Sequence, residues 1–259
     1  MRTGITVLGS GSKGNSLLIH SDSSAILVDA GFSRKEFLKR VSHAKIDVAS
    51  IKALLITHEH VDHVKGARVI ADYLDIPTYT VSLVFKHLRQ KNLVGKTVEL
   101  FHSGTEFLID IFKIQPFSVP HDSLEPFGFV IHVHGKSIGI ATDLGHLSNL
   151  VKFKLKTCDA LILESNHDAQ MLMQSERTIH LKRRIRGKFG HLNNQEAMSS
   201  LEHILHDKTK HIVFYHLSSD CNKPELIVKS AQDKLNELNR SDIRFAIARQ
   251  NEIIDTVWI

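Results

Sequence analysis

The chain has only two cysteines in 259 residues, Cys158 and Cys221, and they form neither a framework nor a Cys-x-x-Cys pair. That excludes a disulfide-stapled scaffold and fits a reducing cytoplasm, the location expected. No apolar run approaches the ~18 residues a membrane span needs, so no membrane association is expected. The opening Met1–Val7 reads as a strand and lacks the charged-then-apolar order of a signal peptide. There is no internal repeat, low-complexity tract or Pro/Gly-rich linker. Neither charge sign dominates: 33 Lys and Arg against 28 Asp and Glu leave 33 − 28 = +5. A mild excess permits a polyanionic partner without establishing one. Hydrophobic residues make up 42%, which excludes a disordered chain. Histidine is the residue in excess, with 18, far more than folding requires.

The pattern predicts strands over Ile5–Leu8, Ser16–His20, Ala25–Asp29 and Ala53–Ile56, the last apolar enough to be buried on both faces. Ser33 is an expected N-cap for a helix through Phe37, Leu38 and Val41, and a second helix runs through Val69–Leu74. Five strand-like stretches follow: Val98–Phe101, Thr105–Leu108, Ile111–Val119, Phe127–His134 and Ser137–Ala141. Strand and helix then alternate: Ala160–Leu163, Asn194–Leu205, Ile212–Tyr215, Pro224–Leu238, Ile243–Ala246 and Ile253–Val257. Two groups of strands with interspersed helices imply α/β architecture, two stacked sheets with helices outside. The expectation is a four-layer αβ/βα sandwich in one domain over 1–259. A single doubly wound sheet is the alternative, opposed by the antiparallel-looking stretch 97–141.

In Thr57-His58-Glu59-His60-Val61-Asp62-His63, four potential metal ligands, His58, His60, Asp62 and His63, fall within six residues directly after a buried strand. His58 and His60, two apart, share no helix face but could grip one ion from an extended loop. Asp62 and His63, past the next bend, could reach a second. Imidazole with carboxylate suits Zn²⁺, Mn²⁺ or Fe²⁺ better than Mg²⁺ or Ca²⁺. The bland alternative, a polar surface loop, does not account for such density behind a core strand. Three later strand ends offer more donors: His121 after Val119-Pro120, Asp143 after Ala141-Thr142, and His216 after Phe214-Tyr215. Each alone reads as a structural histidine or a turn aspartate; together they aim at one edge of the sandwich.

In this order the residues resemble the metallo-β-lactamase superfamily, marked by His-x-His-x-Asp-His. The resemblance implies that His58, His60 and His121 hold one metal ion and Asp62, His63 and His216 a second. It implies that Asp143 bridges the two with a hydroxide between them, and that Asp29 is a nearby structural carboxylate. A narrower resemblance, to the YycJ/WalJ branch, rests on Gly9-Ser10-Gly11-Ser12-Lys13-Gly14-Asn15-Ser16, Glu164-Ser165-Asn166-His167-Asp168, Gly190-His191-Leu192-Asn193-Asn194 and His216-Leu217-Ser218-Ser219-Asp220-Cys221-Asn222. That branch is regarded as DNA exonucleases working 5′ to 3′, which makes nucleic acid, DNA before RNA, the expected partner. Asn193 stands where the branch carries Ser.

A dinuclear site suits in-line phosphoryl displacement. The leaving oxygen then needs a proton, and His191, before the expected helix at Asn194, is the candidate donor. Asp62 is taken as catalytic as well as ligating. The free amides of that helix start could hold a phosphate. Arg177, Lys182, Arg183, Arg184, Arg186 and Lys188 put six cations in twelve residues just before His191. They read as phosphate contacts or as a solvated helix face; beside a phosphodiesterase site the first is preferred. Ser12 and Lys13, in a loop whose amides could cradle a terminal phosphate, and Asn166 complete the expected substrate contacts. His132 and His134 share a strand face but lack a carboxylate, and read as structural. The alternatives are a small-molecule hydrolase on the same metals (a lactonase, thioesterase or cyclic phosphodiesterase), an RNA-processing nuclease, or a non-catalytic nucleic-acid-binding protein.

Overall fold

The computed structural model describes residues 2–259; Met1, first residue of the expected opening strand, lies outside the described residues. Among the described residues, fourteen strands form two seven-stranded sheets. The first runs, in spatial order, Val257–Trp258, Gly4–Gly9, Ser16–His20, Ala25–Val28, Ile51–Leu55, Thr78–Thr80, Val98–Leu100. The second runs Arg244–Ile247, His211–Tyr215, Ala160–Glu164, Lys136–Ala141, Phe127–Val133, Phe112–Ser118, Phe107–Ile109. Each sheet is mixed. Ala25–Val28 through Val98–Leu100 are parallel, as are Lys136–Ala141 through Arg244–Ile247. The other pairs are antiparallel, including the hairpins of the 107–141 stretch. A doubly wound single sheet is therefore excluded.

The parallel strands are apolar runs, as burial on both faces requires. Ala25–Val28 is AILV and buried throughout; Ala160–Glu164 is ALILE, equally buried, its last residue a carboxylate. One core lies between the sheets and takes in Phe37 and Val41 of the helix Arg34–His43 and Ile70 of Ala67–Leu74. A second covers the outer face of the second sheet with Leu155, Leu201 and Ile227, from the helices Asn149–Leu155, Asn194–Ile204 and Pro224–Glu237. The result is four layers.

Several elements depart from the sequence reading. The expected closing strand Ile253–Val257 shrinks to Val257–Trp258, paired with Gly4 and Ile5. The strand Thr78–Thr80 and the helices Ser82–Gln90 and Asn149–Leu155 carry no clear expectation from sequence. Three residues are too few to establish alternation. Gly31 fixes the approach of the His-rich loop: a Cβ there would lie 1.8 Å from the Asp62 carbonyl oxygen.

Candidate metal centre

The clustered side chains all leave strand ends on one edge of the sandwich. Asp29 follows Ala25–Val28, and His58 to His63 follow Ile51–Leu55. His121, Asp143 and His216 follow Phe112–Ser118, Lys136–Ala141 and His211–Tyr215, while Glu164 ends Ala160–Glu164. Three of these residues turn off their strands in the left-handed backbone region: Asp29 (φ 57°), Asp143 (φ 55°) and His216 (φ 58°). Such a conformation is uncommon outside glycine and is held here by surrounding contacts.

Ring tautomers follow from what each histidine meets. The Nδ1–H of His63 donates to Asp29 Oδ2 at 2.7 Å, and that of His121 to the Gly190 carbonyl at 3.0 Å. The Nδ1–H of His216 donates to Glu164 Oε1 at 3.0 Å. Thr57 Oγ1 donates to Asp29 Oδ2 at 2.7 Å and accepts from His58 Nδ1 at 3.0 Å. In all four rings Nε2 is the nitrogen turned to the cluster, and that of His63 also meets Asn15 Nδ2 at 3.0 Å. Fixing one ring nitrogen on a carboxylate or carbonyl so that the other can ligate is how metal-binding histidines are oriented.

These donors converge. His58, His60 and His121 form one group, Asp62, His63 and His216 another, and Asp143 joins His58 and His63; in each group the ligand atoms lie within 4.8 Å of one another. His60 Nδ1 and His121 Nε2 are 3.2 Å apart. Two nitrogens bound ~2.0–2.1 Å from a tetrahedral ion would be separated by about 3.4 Å. The buried Nε2 of His58 has no hydrogen-bond partner among the described residues, an orphan that a cation satisfies. His63 Nε2 stands 3.3 Å from Asp143 Oδ2 and 3.5 Å from Asp62 Oδ2. His216 lies 3.4 Å from Asp62 through Nε2 and 3.2 Å from Asp143 through Nδ1. The donor set therefore fits divalent metal ions.

The electrostatics agree with a cluster built around positive charge. Burial and the neighbouring rings push His58 well down, and burial lowers His121. Burial would also lower His63, but Asp143, Asp29 and Asp62 outweigh it and raise the ring to about 9. His216 is raised in the same way, chiefly by Asp143. Burial opposes ionisation of Asp62 and Asp143, yet the facing imidazoles hold both below the usual carboxylate range.

Two residues of the site carried no role in the sequence reading. Glu164 is fully buried and takes the Nδ1–H of His191 at 2.8 Å besides that of His216. Its Oε2 accepts the backbone N–H of Leu144 and of Leu192. Burial alone would neutralise it, but His191 and His216 keep it well on the ionised side. Asn15 is the second: its Nδ2 reaches Asp62 Oδ2 at 3.0 Å and its Oδ1 takes Ser10 Oγ and the Gly11 N–H. Both lie in motifs legible as motifs, but nothing in their spacing gives the atoms they touch.

Beside the cluster opens a cleft of about 160 Å³, walled by His60, His191, Ser12, Asn166, Ser218, Asp122, Arg177 and Arg184, with Leu181 and Ile185. Of the residues nominated from sequence for substrate, Ser12, Asn166 and Arg184 stand in this wall. Lys13, Arg186 and Lys188 do not, and Arg186 turns to Met173 Sδ. The 10–15 loop is a brace, not an amide cradle, since the N–H groups of Ser10, Gly11, Lys13, Gly14 and Asn15 are all taken within the protein. The helix start at Asn194 is likewise closed. Its N–H donates to the His167 carbonyl, and the Asn193 side chain caps Glu196 N–H at 2.9 Å. Cys221 is buried against Leu172 and Ile185.

A family profile described as "Beta-lactamase superfamily domain" matches residues 24–216. The chain is 33% identical over 255 residues to a protein named exodeoxyribonuclease YycJ from Bacillus anthracis, covering 97% of this chain and 94% of the relative. It is 29% identical to exodeoxyribonuclease WalJ of Streptococcus pneumoniae, over 92% of this chain and 89% of the relative. Among solved structures, the metallo-β-lactamase fold protein YhfI from Bacillus subtilis superposes with a TM-score of 0.74 at 16% identity, over 98% and 99% of the two chains.

Proposed function

Because the chain belongs to the beta-lactamase superfamily, whose members are metal-dependent hydrolases, we propose that it is a dinuclear-metal phosphodiesterase that degrades DNA as an exonuclease, from 5′ to 3′. The observation that carries this reading is the Glu164–His191 pair, held at 2.8 Å beside the His/Asp cluster in a cleft walled by arginines. His58, His60 and His121 would hold one ion, Asp62, His63 and His216 the other, with Asp143 between them. Zn²⁺, Mn²⁺ and Fe²⁺ all suit these donors. When bound, such a pair lowers the pKa of water toward ~7 and neutralises charge building on phosphate oxygens.

The protein's own groups do the rest. Glu164 accepts the Nδ1–H of His191 and holds the ring so that Nε2 faces the leaving oxygen, to which it gives a proton. Asp62, tied by Asn15, orients the attacking oxygen as well as ligating. Ser12, Asn166 and Arg184 contact the strand, while Lys13, Arg186 and Lys188 supply a positive field along its approach. The two arginines of the cleft wall favour an anionic phosphodiester over a lactone or a thioester. The names of the two relatives favour DNA over RNA. Two buried, unpaired cysteines fit a cytoplasmic location, and among the described residues no helix is long and apolar enough to cross a membrane.

The test is Mn²⁺- or Zn²⁺-loaded protein with end-labelled single- and double-stranded DNA, RNA and a chromogenic phosphodiester, with Asp143→Ala as inactive control. His191→Ala should retain its metal content by elemental analysis and lose on the order of 10²–10⁴-fold in kcat. Full turnover in that variant removes His191 from the mechanism. Turnover of a lactone or thioester but not of DNA overturns the assignment.

A further inference from the structure

Six cations lie between Arg177 and Lys188, and only two of them, Arg177 and Arg184, wall the cleft. Among the described residues, the same two are the only ones of the six with a carboxylate partner. Arg177 Nη2 is 3.2 Å from Asp220 Oδ2, and Arg184 Nε donates to Asp122 Oδ2. The two carboxylates belong to the loops that carry His216 and His121. Resting on the nucleic-acid reading above, we propose that Arg177 and Arg184 form a second anion site, which takes a phosphate of the strand flanking the scissile bond. Asp220 and Asp122 occupy this site as built-in phosphate mimics until a strand displaces them.

The geometry supports exchange over a fixed clasp. Arg184 lies in the helix Ile179–Ile185, where its spacing with Leu181 and Ile185 puts the three on one face, and Arg177 stands just before that helix's N-cap, Thr178; all four line the cleft. Each pair has one exposed partner, Asp220 at 68% and Arg184 at 54%, against a partner less than a third exposed, Arg177 at 26% and Asp122 at 29%, so solvent reaches both pairs from one side. Exposed pairs of this kind are weak and easily exchanged. A guanidinium fork matches two phosphate oxygens at once, a stronger contact than either pair makes here. A substrate with a single phosphate engages the metal ligands and leaves the guards in place. A strand carries neighbouring phosphates and displaces them. The guards therefore select a polyanionic chain over a lone phosphodiester.

If the ion pairs only fasten the helix across the site, removing a carboxylate loosens it and weakens binding. The proposal requires the opposite sign. In the metal-loaded full chain, Asp220→Asn should lower KM for a single-stranded oligonucleotide, by about 3- to 10-fold. Arg177→Ala should lower oligonucleotide kcat/KM about tenfold further than it lowers kcat/KM for bis(p-nitrophenyl) phosphate. It should also make the slope of log K against log salt shallower by about 0.7 on single-stranded DNA. Arg177→Lys should fall between, since an ammonium lacks the fork. A raised oligonucleotide KM in Asp220→Asn overturns the proposal, as does an equal loss on both substrates in Arg177→Ala. A wild-type enzyme that cleaves the small diester but no oligonucleotide overturns both this inference and the nuclease reading beneath it.

Discussion

Glu164 ends a strand whose other residues are Ala, Leu, Ile and Leu, and a carboxylate survives there because four N–H donors meet it. Glu164→Gln keeps the shape and removes the charge. We expect the metal-loaded variant to lose about 10–100-fold in kcat, with a shifted pH–rate profile because His191 loses its anionic support. An unchanged profile would separate Glu164 from His191. His167 poses a different problem. It is 1% exposed, and neither ring nitrogen has a partner among the described residues. Burial lowers it to about 4, against ~6.5 in the unfolded chain. Between these values the unfolded state binds more protons, so the contribution is present above pH 6.5 and lost as pH falls through about 4. We expect His167→Gln to flatten the acid limb of a urea-midpoint-versus-pH curve, a difference of about 3 kcal/mol at most. The dense ligand loop was legible because His and Asp crowd one short stretch behind an apolar strand. Glu164 was not, because a lone Glu after an apolar run has the same signature as a turn.

At the scale of elements, Asn193 shows where local chemistry is readable. Its Oδ1 accepts the Glu196 N–H, so it caps the helix Asn194–Ile204 in the place where the resembling branch carries Ser. Both residues are good N-caps. Asn193→Ala should cost about 0.5–2 kcal/mol, read as a lower urea midpoint at unchanged m-value, and Asn193→Ser only a few tenths. Longer helices with caps and apolar periodicity, such as Arg34–His43 and Pro224–Glu237, could be placed from sequence. The Thr78–Thr80 strand could not, because its place is set by pairing with Ile51–Leu55 and Val98–Leu100 rather than by its own residues. Nor could the satisfied amides of the 10–15 loop be foreseen, since Gln250, which braces it, is remote in sequence.

Across the whole molecule, the proposed ligands come from both sheets, so bound ions would tie the two halves together. Each ion at a concentration 100 times its Kd adds about 2.7 kcal/mol. That predicts a drop of about 5–10 °C in Tm per ion removed by a chelator. The size of the drop should depend on pH. His63, raised to about 9 by its carboxylates, stabilises the metal-free fold fully below its unfolded value of ~6.5. That support is lost as pH rises through about 9. Metal must displace the same proton, so uptake strengthens over the same range. Calorimetry with chelator and with added metal should therefore give Tm values that diverge from pH 6.5 to pH 9. A constant gap would show that the His63 proton is not exchanged for metal.

The left-handed corners at Asp29, Asp143 and His216 restrict how the centre can be redesigned. A replacement there must suit both the cation and a backbone that Asn, Asp and Gly adopt most readily. Exchanging His216 for Asp to favour a harder ion asks little of the main chain, whereas a β-branched residue at any of the three would twist the strand end away from its neighbours. Metal preference can therefore be retuned along only a narrow chemical path, while positions with ordinary extended backbone, such as His60, leave a wider choice.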